Sequence, residues 1–237
     1  HMKNGHLPDF DASGKLIPLP DETGEKGNAF ATFMADASFV IPTPKVLERI
    51  VTGLEDLYTH DIEDKDMQGD LYEYMLSKLQ AAGQDGQFRT PKHIREMMVE
   101  LMAPTPADSI CDPACGTAGF LVSSAQYITA HYGDMMTDSD WTHYKETMFH
   151  GFDTDQTMLR ISAMNLMLHG IIHPCIAYQD SLSKQNQTES AYTLCLANPP
   201  FKGSIDAESI HEKLKAVTNT KKTELLFLAL FLRTLKK

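Results

Sequence analysis

The residues best suited to chemistry follow an apolar stretch near the end of the chain, where Asn198 precedes Pro199, Pro200 and Phe201. The two prolines fix the backbone and remove two N–H donors, so nearby carbonyl groups point in defined directions. The side-chain oxygen of Asn198 and the main-chain oxygen of Pro199 can each accept one N–H of an amine, and Phe201 can stack on a planar ring. A rigid turn between a strand and a helix is the alternative explanation.

A second candidate segment leaves a strand, passes through a turn of small residues and enters a helix. It reads Asp112-Pro113-Ala114-Cys115-Gly116-Thr117-Ala118-Gly119-Phe120. Small side chains let backbone amides and a helix N-terminus approach a ligand closely. Asp112 suits an ammonium group better than a phosphate, and the chain lacks the Gly-Lys-Ser/Thr of a nucleotide-triphosphate loop. A plain strand-to-helix turn is the alternative.

Asp153 ends the next predicted strand, in the run Gly151-Phe152-Asp153. A carboxylate at such a strand end can accept hydrogen bonds from both hydroxyls of a ribose. A helix cap shared with Asp155 is the alternative role. The third predicted strand ends in the same way at Asp180, whose carboxylate could accept a hydrogen bond from an exocyclic amine, with an ordinary turn aspartate as the alternative.

These residues lie at the ends of strands that alternate with helices from residue 108 onward. Such alternation is typical of an α/β fold with a doubly wound, mostly parallel sheet. The predicted strands are 108–111, 147–152, 175–178 and 192–197. The predicted helices begin at Thr43-Pro44 and at Thr90-Pro91, or span 69–82, 119–131, 155–169 and 223–235. The helix after Pro91 carries an apolar stripe of Ile94, Met97, Met98 and Leu101.

Three regions are predicted along the chain. Residues 1–40 form an irregular linker or arm that opens with His1-Met2, a remnant of an expression tag. Residues 41–86 form a helical extension, and residues 87–237 form the α/β domain. Because about four strands are fewer than a doubly wound sheet usually has, we expect the C-terminal part of this domain to be missing.

The segment from Asp112 to Phe120 resembles the motif with which Rossmann-like adenine methyltransferases hold the methionine part of S-adenosylmethionine. The segment Gln87-Phe88-Arg89-Thr90-Pro91 resembles the upstream motif of the gamma-order enzymes of this kind, and Asn165 to Gly170 resembles a helix of type I modification subunits. The likeness extends over roughly residues 40–237. It implies that the cofactor-binding residues are Gln87, Phe88, Arg89, Thr90, Pro91, Asp112, Pro113, Ala114, Gly116, Thr117, Ala118, Gly119, Phe120, Asp153 and Asp180, with Asp180 near the adenine ring of the cofactor.

The same resemblance implies an S-adenosylmethionine-dependent, site-specific DNA adenine N6-methyltransferase of a type I restriction-modification system. Asn198, Pro199, Pro200 and Phe201 would hold a flipped adenine. The implied partners are DNA, a specificity subunit, a second modification subunit and a restriction subunit. Two alternatives stay open: methylation of a protein glutamine or a ribosomal RNA base, and a catalytically silent fragment that binds cofactor or serves as a scaffold.

Composition limits the surroundings of the protein. The net charge is -11, whereas a protein that grips duplex DNA unaided usually has a basic face, so another subunit or segment is expected to supply most of the grip. No apolar run is long enough for a membrane span and no signal peptide is recognisable, which predicts a cytoplasmic protein without a membrane partner. The four cysteines and ten histidines show no metal-ligand spacing, so free buried thiols and no metal are expected.

Overall fold

The computed structural model describes residues 33–35, 37, 38, 40–60, 65–81, 89–201, 205, 206 and 208–237. The chain divides into two compact units, His1–Glu63 and Asp64–Lys237. Most of the predicted arm, and the candidate residues Gln87 and Phe88, lie outside the described residues. The predicted region boundaries stay a prediction.

The first unit contains one long helix, α1 (Pro44–His60). It begins where the sequence predicts, because Thr43 acts as its cap: the Val46 amide donates to Thr43 Oγ1 at 3.3 Å. Proline is well tolerated at the first helical position, where its missing N–H has no helical partner to lose.

The second unit contains the remaining helices and all the described strands. Their bounds, in chain order, are α2 (Lys65–Ala81), α3 (Lys92–Met102), β1 (Ile110–Asp112), α4 (Gly119–Tyr132), a 3-10 helix (Gly133–Met135), α5 (Asp138–Glu146), β2 (Phe149–Asp153), α6 (Gln156–Leu168), β3 (Cys175–Tyr178), β4 (Leu194–Cys195), α7 (Glu212–Val217) and α8 (Thr223–Thr234).

The four strands form one parallel sheet in the order β3-β2-β1-β4. Ile110 of β1 pairs with Phe149 of β2 on one side and with Leu194 of β4 on the other. The chain therefore adds strands in one direction from β1 to β3 and then returns to the other side of β1. The predicted parallel α/β fold is confirmed. The carboxyl ends of the strands lie along one edge of the sheet, and the strand order changes direction at β1.

Apolar side chains on the strands and helices form the core. Ile110 and Phe149 are at most 1% exposed, and fully buried side chains of α4 and α6 include Leu121, Ile128 and Leu166. Helix α2 packs against α6, and α3 packs against α4. A further buried cluster joins the segment after β3 to α7 and α8, with the members Leu182, Ile210, Leu214, Leu226, Phe227, Ala229 and Leu230. Burial of this apolar surface is the main stabilising contribution to the fold.

The apolar stripe of α3 is only partly buried, since Ile94 and Met98 are half-buried. The helix buries Arg95 and Val99, whereas Met97 and Leu101 are 52% and 77% exposed. An apolar stripe predicts the buried face only when no partner for a charged residue is available, and here a carboxylate of α2 pairs with Arg95. Thr90 is also not the cap, because Pro91 takes that position and makes no side-chain cap hydrogen bond.

The fourth strand is shorter than predicted, since Leu194–Cys195 replaces residues 192–197. The Tyr192 amide donates instead to the Thr234 carbonyl at the end of α8, and the amides of Thr193 and Leu194 both donate to Ser109. The polar segment before β2 forms α5, which is capped by reciprocal hydrogen bonds between Thr137 and Asp140.

All four cysteines are free thiols, with Cys111 and Cys115 buried and Cys175 and Cys195 half-buried. The predicted burial of the thiols therefore holds for Cys111 and Cys115 and only in part for Cys175 and Cys195. Across the described residues, none of the helices has both the length and the apolar character that a bilayer crossing requires.

Candidate functional site

A cavity of about 670 Å³ opens at the carboxyl ends of the strands, within the range of about 300–1,000 Å³ common for small-molecule sites. Ligands of open α/β sheets bind at this edge, where the strand order changes direction. The cavity brings together most of the residues that the sequence singled out, namely Arg89, Thr90, Asp112, Pro113, Ala114, Gly116, Thr117, Gly119, Phe120, Asp153, Asp180, Asn198, Pro199, Pro200 and Phe201.

Two described candidates do not line the cavity. Pro91 is exposed at the start of α3, and Ala118 is fully buried at the start of α4. Ala118 is placed in the left-handed region, with φ at 61°, as is Gly116 with φ at 52°. The left-handed conformation costs an alanine about 1–2 kcal/mol, a cost that glycine does not have. The loop adopts this tight path at Ala118 in spite of that cost.

Asp112 is the most unusual ionisable residue of the site. Its side chain is 2% exposed and accepts a hydrogen bond from the Ala114 amide at 3.1 Å. Burial raises the pKa of Asp112 to about 8, and the nearby charge of Asp153 adds to the rise. A buried carboxyl that resists ionisation is stabilised as an anion by a cation beside it, and this is the property that an ammonium site needs.

Asp153 joins β2 to the small-residue loop. Its Oδ2 accepts from the Gly116 amide at 3.0 Å and its Oδ1 accepts from the Asp155 amide at 2.9 Å. The capping of α6 itself belongs to Asp155, which accepts from the amides of Thr157 and Met158. Asp153 thus contributes to the helix cap only indirectly, through its hydrogen bond with the Asp155 amide. Asp153 is half-buried and lines the cavity.

Asp180 and Asn198 close the other side of the cavity. Asp180 is exposed and forms the predicted turn, accepting from the Leu182 amide at 3.1 Å. Asn198 and Pro199 are half-buried, and the ring of Phe201 is 64% exposed. Asn198, Pro199 and Phe201 all line the cavity. A turn that served only for packing would not need to open onto a cavity.

Arg95 is a cavity-lining residue that the sequence did not suggest, together with Thr223 and Phe227 of α8. Arg95 is 4% exposed and pairs with Glu73 of α2 at 2.9 Å, and Arg89 pairs with the same carboxylate at 3.1 Å. An arginine four residues before Val99 on one helix face was the available signal, but its partner lies 22 residues away. Thr223 and Phe227, at the start of an apolar helix, gave no signal.

The chain is similar in sequence and structure to known proteins. Residues 63–237 match the family model of N-6 DNA methylases. The methylase subunit of the type I restriction enzyme EcoEI from Escherichia coli is 28% identical over 223 residues, which cover 93% of this chain and 45% of that protein. The chain thus spans less than half the length of this relative.

Solved structures agree with the family match. A protein of Vibrio vulnificus described as a modification subunit of a type I restriction enzyme has a TM-score of 0.70 and 28% identity, over 87% of this chain and 43% of that one. A Listeria monocytogenes protein described as a class I S-adenosylmethionine-dependent methyltransferase, at 16% identity, a TM-score of 0.57 and coverage of 88% and 61%, shares the fold. The predicted methyltransferase fold is confirmed, and the chain belongs to the N-6 DNA methylase family.

Proposed function

We propose that this chain is the catalytic part of a DNA adenine N6-methyltransferase, the modification subunit of a type I restriction-modification system. One observation carries the proposal: Asp112, at the end of β1, and Asn198 with Phe201, after β4, line the same cavity. The first suits the amino acid part of a methyl donor, and the others suit a planar amine.

The cavity fits S-adenosylmethionine as the donor. Asp112 would bind the ammonium group of its methionine part, Asp153 the ribose hydroxyls and Asp180 the amine of its adenine ring. The buried, uncharged state that Asp112 favours without a cation supports this assignment. When bound, the cofactor supplies a methyl group on a sulfonium that is already activated, so the protein contributes mainly position and electrostatics.

The target amine is a poor nucleophile because its lone pair is delocalised into the adenine ring. Asn198 Oδ1 and the Pro199 carbonyl would each accept a hydrogen bond from one of its N–H groups. These two hydrogen bonds would direct the nitrogen lone pair toward the methyl group. Phe201, with its largely exposed ring, would stack on the base. The base must first leave the duplex, at a cost of a few kcal/mol.

Subunit partners follow from the same proposal and from charge. A chain with a net charge of -11 gains little from phosphate contacts. We expect a specificity subunit to hold the DNA, a second modification subunit to complete the enzyme and a restriction subunit to join the full complex. Their work on chromosomal DNA would place the protein in the cytoplasm.

Mapping of methylated adenines tests the proposal. Genomes of host cells with the gene, without it, and with an Asn198→Ala version would be sequenced for N6-methyladenine. We expect one sequence motif to be methylated with the intact gene alone. Asn219→Ala, an exposed asparagine outside the cavity, is the matched control and should retain methylation. Labelled methyl transfer to RNA or protein but not DNA, or cofactor binding without any transfer, would overturn the assignment.

A further inference from the structure

The charged side chains of Glu73, Arg89 and Arg95 form a largely buried triad beside the cavity. Glu73 Oε1 and Oε2 each lie 3.1 Å from Arg89 Nη2, and Oε2 lies 2.9 Å from Arg95 Nη2. The side chains of Arg89, Glu73 and Arg95 are 7%, 12% and 5% exposed. Both arginines line the cavity, whereas Glu73 approaches from α2 and does not.

The same carboxylate is linked to the small-residue loop. Asn165 Nδ2, on α6, donates to Glu73 Oε1 at 2.6 Å and to the Thr117 carbonyl at 2.8 Å. Arg89 Nε donates to Thr117 Oγ1 at 3.0 Å. Glu73 is therefore linked to the Thr117 hydroxyl through Arg89 and to the Thr117 carbonyl through Asn165.

Packing fixes the second guanidinium group against the same loop. The Cα of Gly119 faces Arg95 so closely that an added Cβ would lie 2.9 Å from Arg95 Cζ. Arg95 Nη1 also donates to the Thr90 carbonyl at 3.4 Å. The positions of Gly119, where the loop enters α4, and of Thr90, before α3, thus depend on the position of the Arg95 guanidinium group.

The negative charge of Glu73 balances the positive charges of Arg89 and Arg95. Burial alone would raise the pKa of Glu73, but Arg95, Arg89 and the hydrogen bond from Asn165 together hold that pKa below its usual value. Without the carboxylate, the buried guanidinium groups of Arg89 and Arg95 would lose the anion that they share. Removing one member of a buried ionic group leaves an uncompensated charge, which is strongly unfavourable.

We propose that Glu73, outside the cavity, is a positioning residue that sets the shape of the cofactor loop through Arg89, Arg95 and Asn165. The inference rests on the proposed function, because the loop is taken as the binder of S-adenosylmethionine. Helix α2 is on this account a working part of the cofactor site and not a separate extension.

Glu73→Gln in the full-length protein tests the proposal, with Glu96→Gln as its control. Glu96 lies on the neighbouring helix, is half exposed and contacts Lys92 at 3.9 Å, so the same chemical change there removes a weak exposed pair. Isothermal titration with S-adenosylmethionine is expected to show an affinity lower by about 10- to 100-fold for Glu73→Gln, by analogy with the loss seen when groups that orient the ligands of a metal ion are removed. Glu96→Gln should bind as the wild type does.

Two further readouts separate positioning from simple stability. Without cofactor, the amides of residues 116–119 should exchange hydrogen faster in Glu73→Gln while the strand amides keep their protection. In the methylation assay, KM for the cofactor should rise more than kcat falls. A folded Glu73→Gln protein with wild-type affinity and wild-type loop exchange would overturn the proposal.

Asn165→Leu decides the matter if Glu73→Gln does not fold. It keeps the charges of the triad balanced and removes the link from Glu73 to the Thr117 carbonyl, while Arg89 still contacts the Thr117 hydroxyl. Cofactor affinity should fall, with a smaller change in melting temperature than removal of a charge would cause. Unchanged affinity in Asn165→Leu would overturn the proposal. The proposed function fails in a different way, through a wild-type protein that binds S-adenosylmethionine but methylates no DNA.

Discussion

At the scale of single residues, Asp112 places stability and binding in opposition. A carboxyl group that is 2% exposed and hydrogen-bonded to one amide is poorly solvated as an anion. The protein accepts this cost at the position where the proposed ligand would bring its ammonium group. Such a residue should be replaceable with a gain in stability and a loss of binding.

Asp112→Asn tests this opposition through pH. The pKa near 8 in the folded protein lies above the value of about 3.9 for an unfolded chain, so the folded state binds more protons between these values. Wild-type stability should therefore fall as pH rises through this window, by up to about 1.4 kcal/mol per unit. The variant should lack this decline, be the more stable protein at about pH 8 and lose affinity for S-adenosylmethionine.

Urea unfolding at several pH values measures both proteins. Asp134→Asn, an exposed aspartate after α4, is the control and should keep the wild-type pH dependence. Parallel stability profiles for Asp112→Asn and the wild type would contradict the high pKa.

Gly119→Ala should disturb the site through packing. Its Cβ would collide with the Arg95 guanidinium group, which cannot move without loosening its pair with Glu73. We expect the free energy of unfolding to fall by about 1–3 kcal/mol, as for other overpacked positions. Gly133→Ala is the matched control, since its nearest neighbour lies at 3.7 Å and its backbone is helical. A fall of equal size in both variants would show that loss of glycine, not contact with Arg95, is responsible.

Sequence patterns predicted the site residues that depend on local structure. Asp112, Asp153 and Asn198 each lie at or just after a strand end, and strand ends are readable from apolar runs and turns. Glu73 and Asn165 could not be found in this way, because they meet across 92 residues of sequence. Burial of a charged residue depends on such distant partners, which local patterns do not contain.

At the scale of elements, agreement was good for helices that carry their own end signals. Helix α6 begins after the cap Asp155 and ends before Gly170, which has φ at 83°. The fourth strand was predicted too long: the Tyr192 amide donates to Thr234 rather than to β1, although the Leu196 amide still donates to the Cys111 carbonyl of β1. Strand length is set by partners, whereas helix ends are set largely by local residues.

Helix α5 offers a test of one such local signal. Thr137 Oγ1 accepts from the Asp140 amide, and Asp140 Oδ2 accepts from the Thr137 amide at 2.9 Å. Thr137→Ala should lower the free energy of unfolding by about 1 kcal/mol without altering cofactor affinity. Thr142→Ala, inside the same helix, should cost less, because alanine is the better helix former. Chemical denaturation of the two variants distinguishes a cap effect from a general effect of threonine removal.

At the scale of the whole molecule, the sheet order gathers the ends of β1 and β4 beside each other. The segments after these strands carry Asp112 and Asn198, so donor and acceptor sites adjoin although 86 residues of sequence separate their positions. This arrangement follows from the fold. Which DNA sequence would be methylated under the proposed function does not follow from the fold.

The charge predicts weak DNA binding by the isolated chain. At physiological salt we expect a dissociation constant for duplex DNA weaker than about 10⁻⁴ M, the weak end of non-specific binding. Addition of a specificity subunit should bring binding into a measurable range with a strong dependence on salt. Fluorescence anisotropy with a labelled duplex would show this, and tight binding by the chain alone would contradict it.

The proton that Asp112 retains has a thermodynamic consequence for loading of the site. An incoming ammonium group favours the ionised carboxylate, so complex formation near neutral pH should release up to one hydrogen ion per molecule. The surrounding buffer takes up that ion and adds its own ionisation enthalpy. Titrations in phosphate and in Tris should therefore give different apparent enthalpies for one and the same complex.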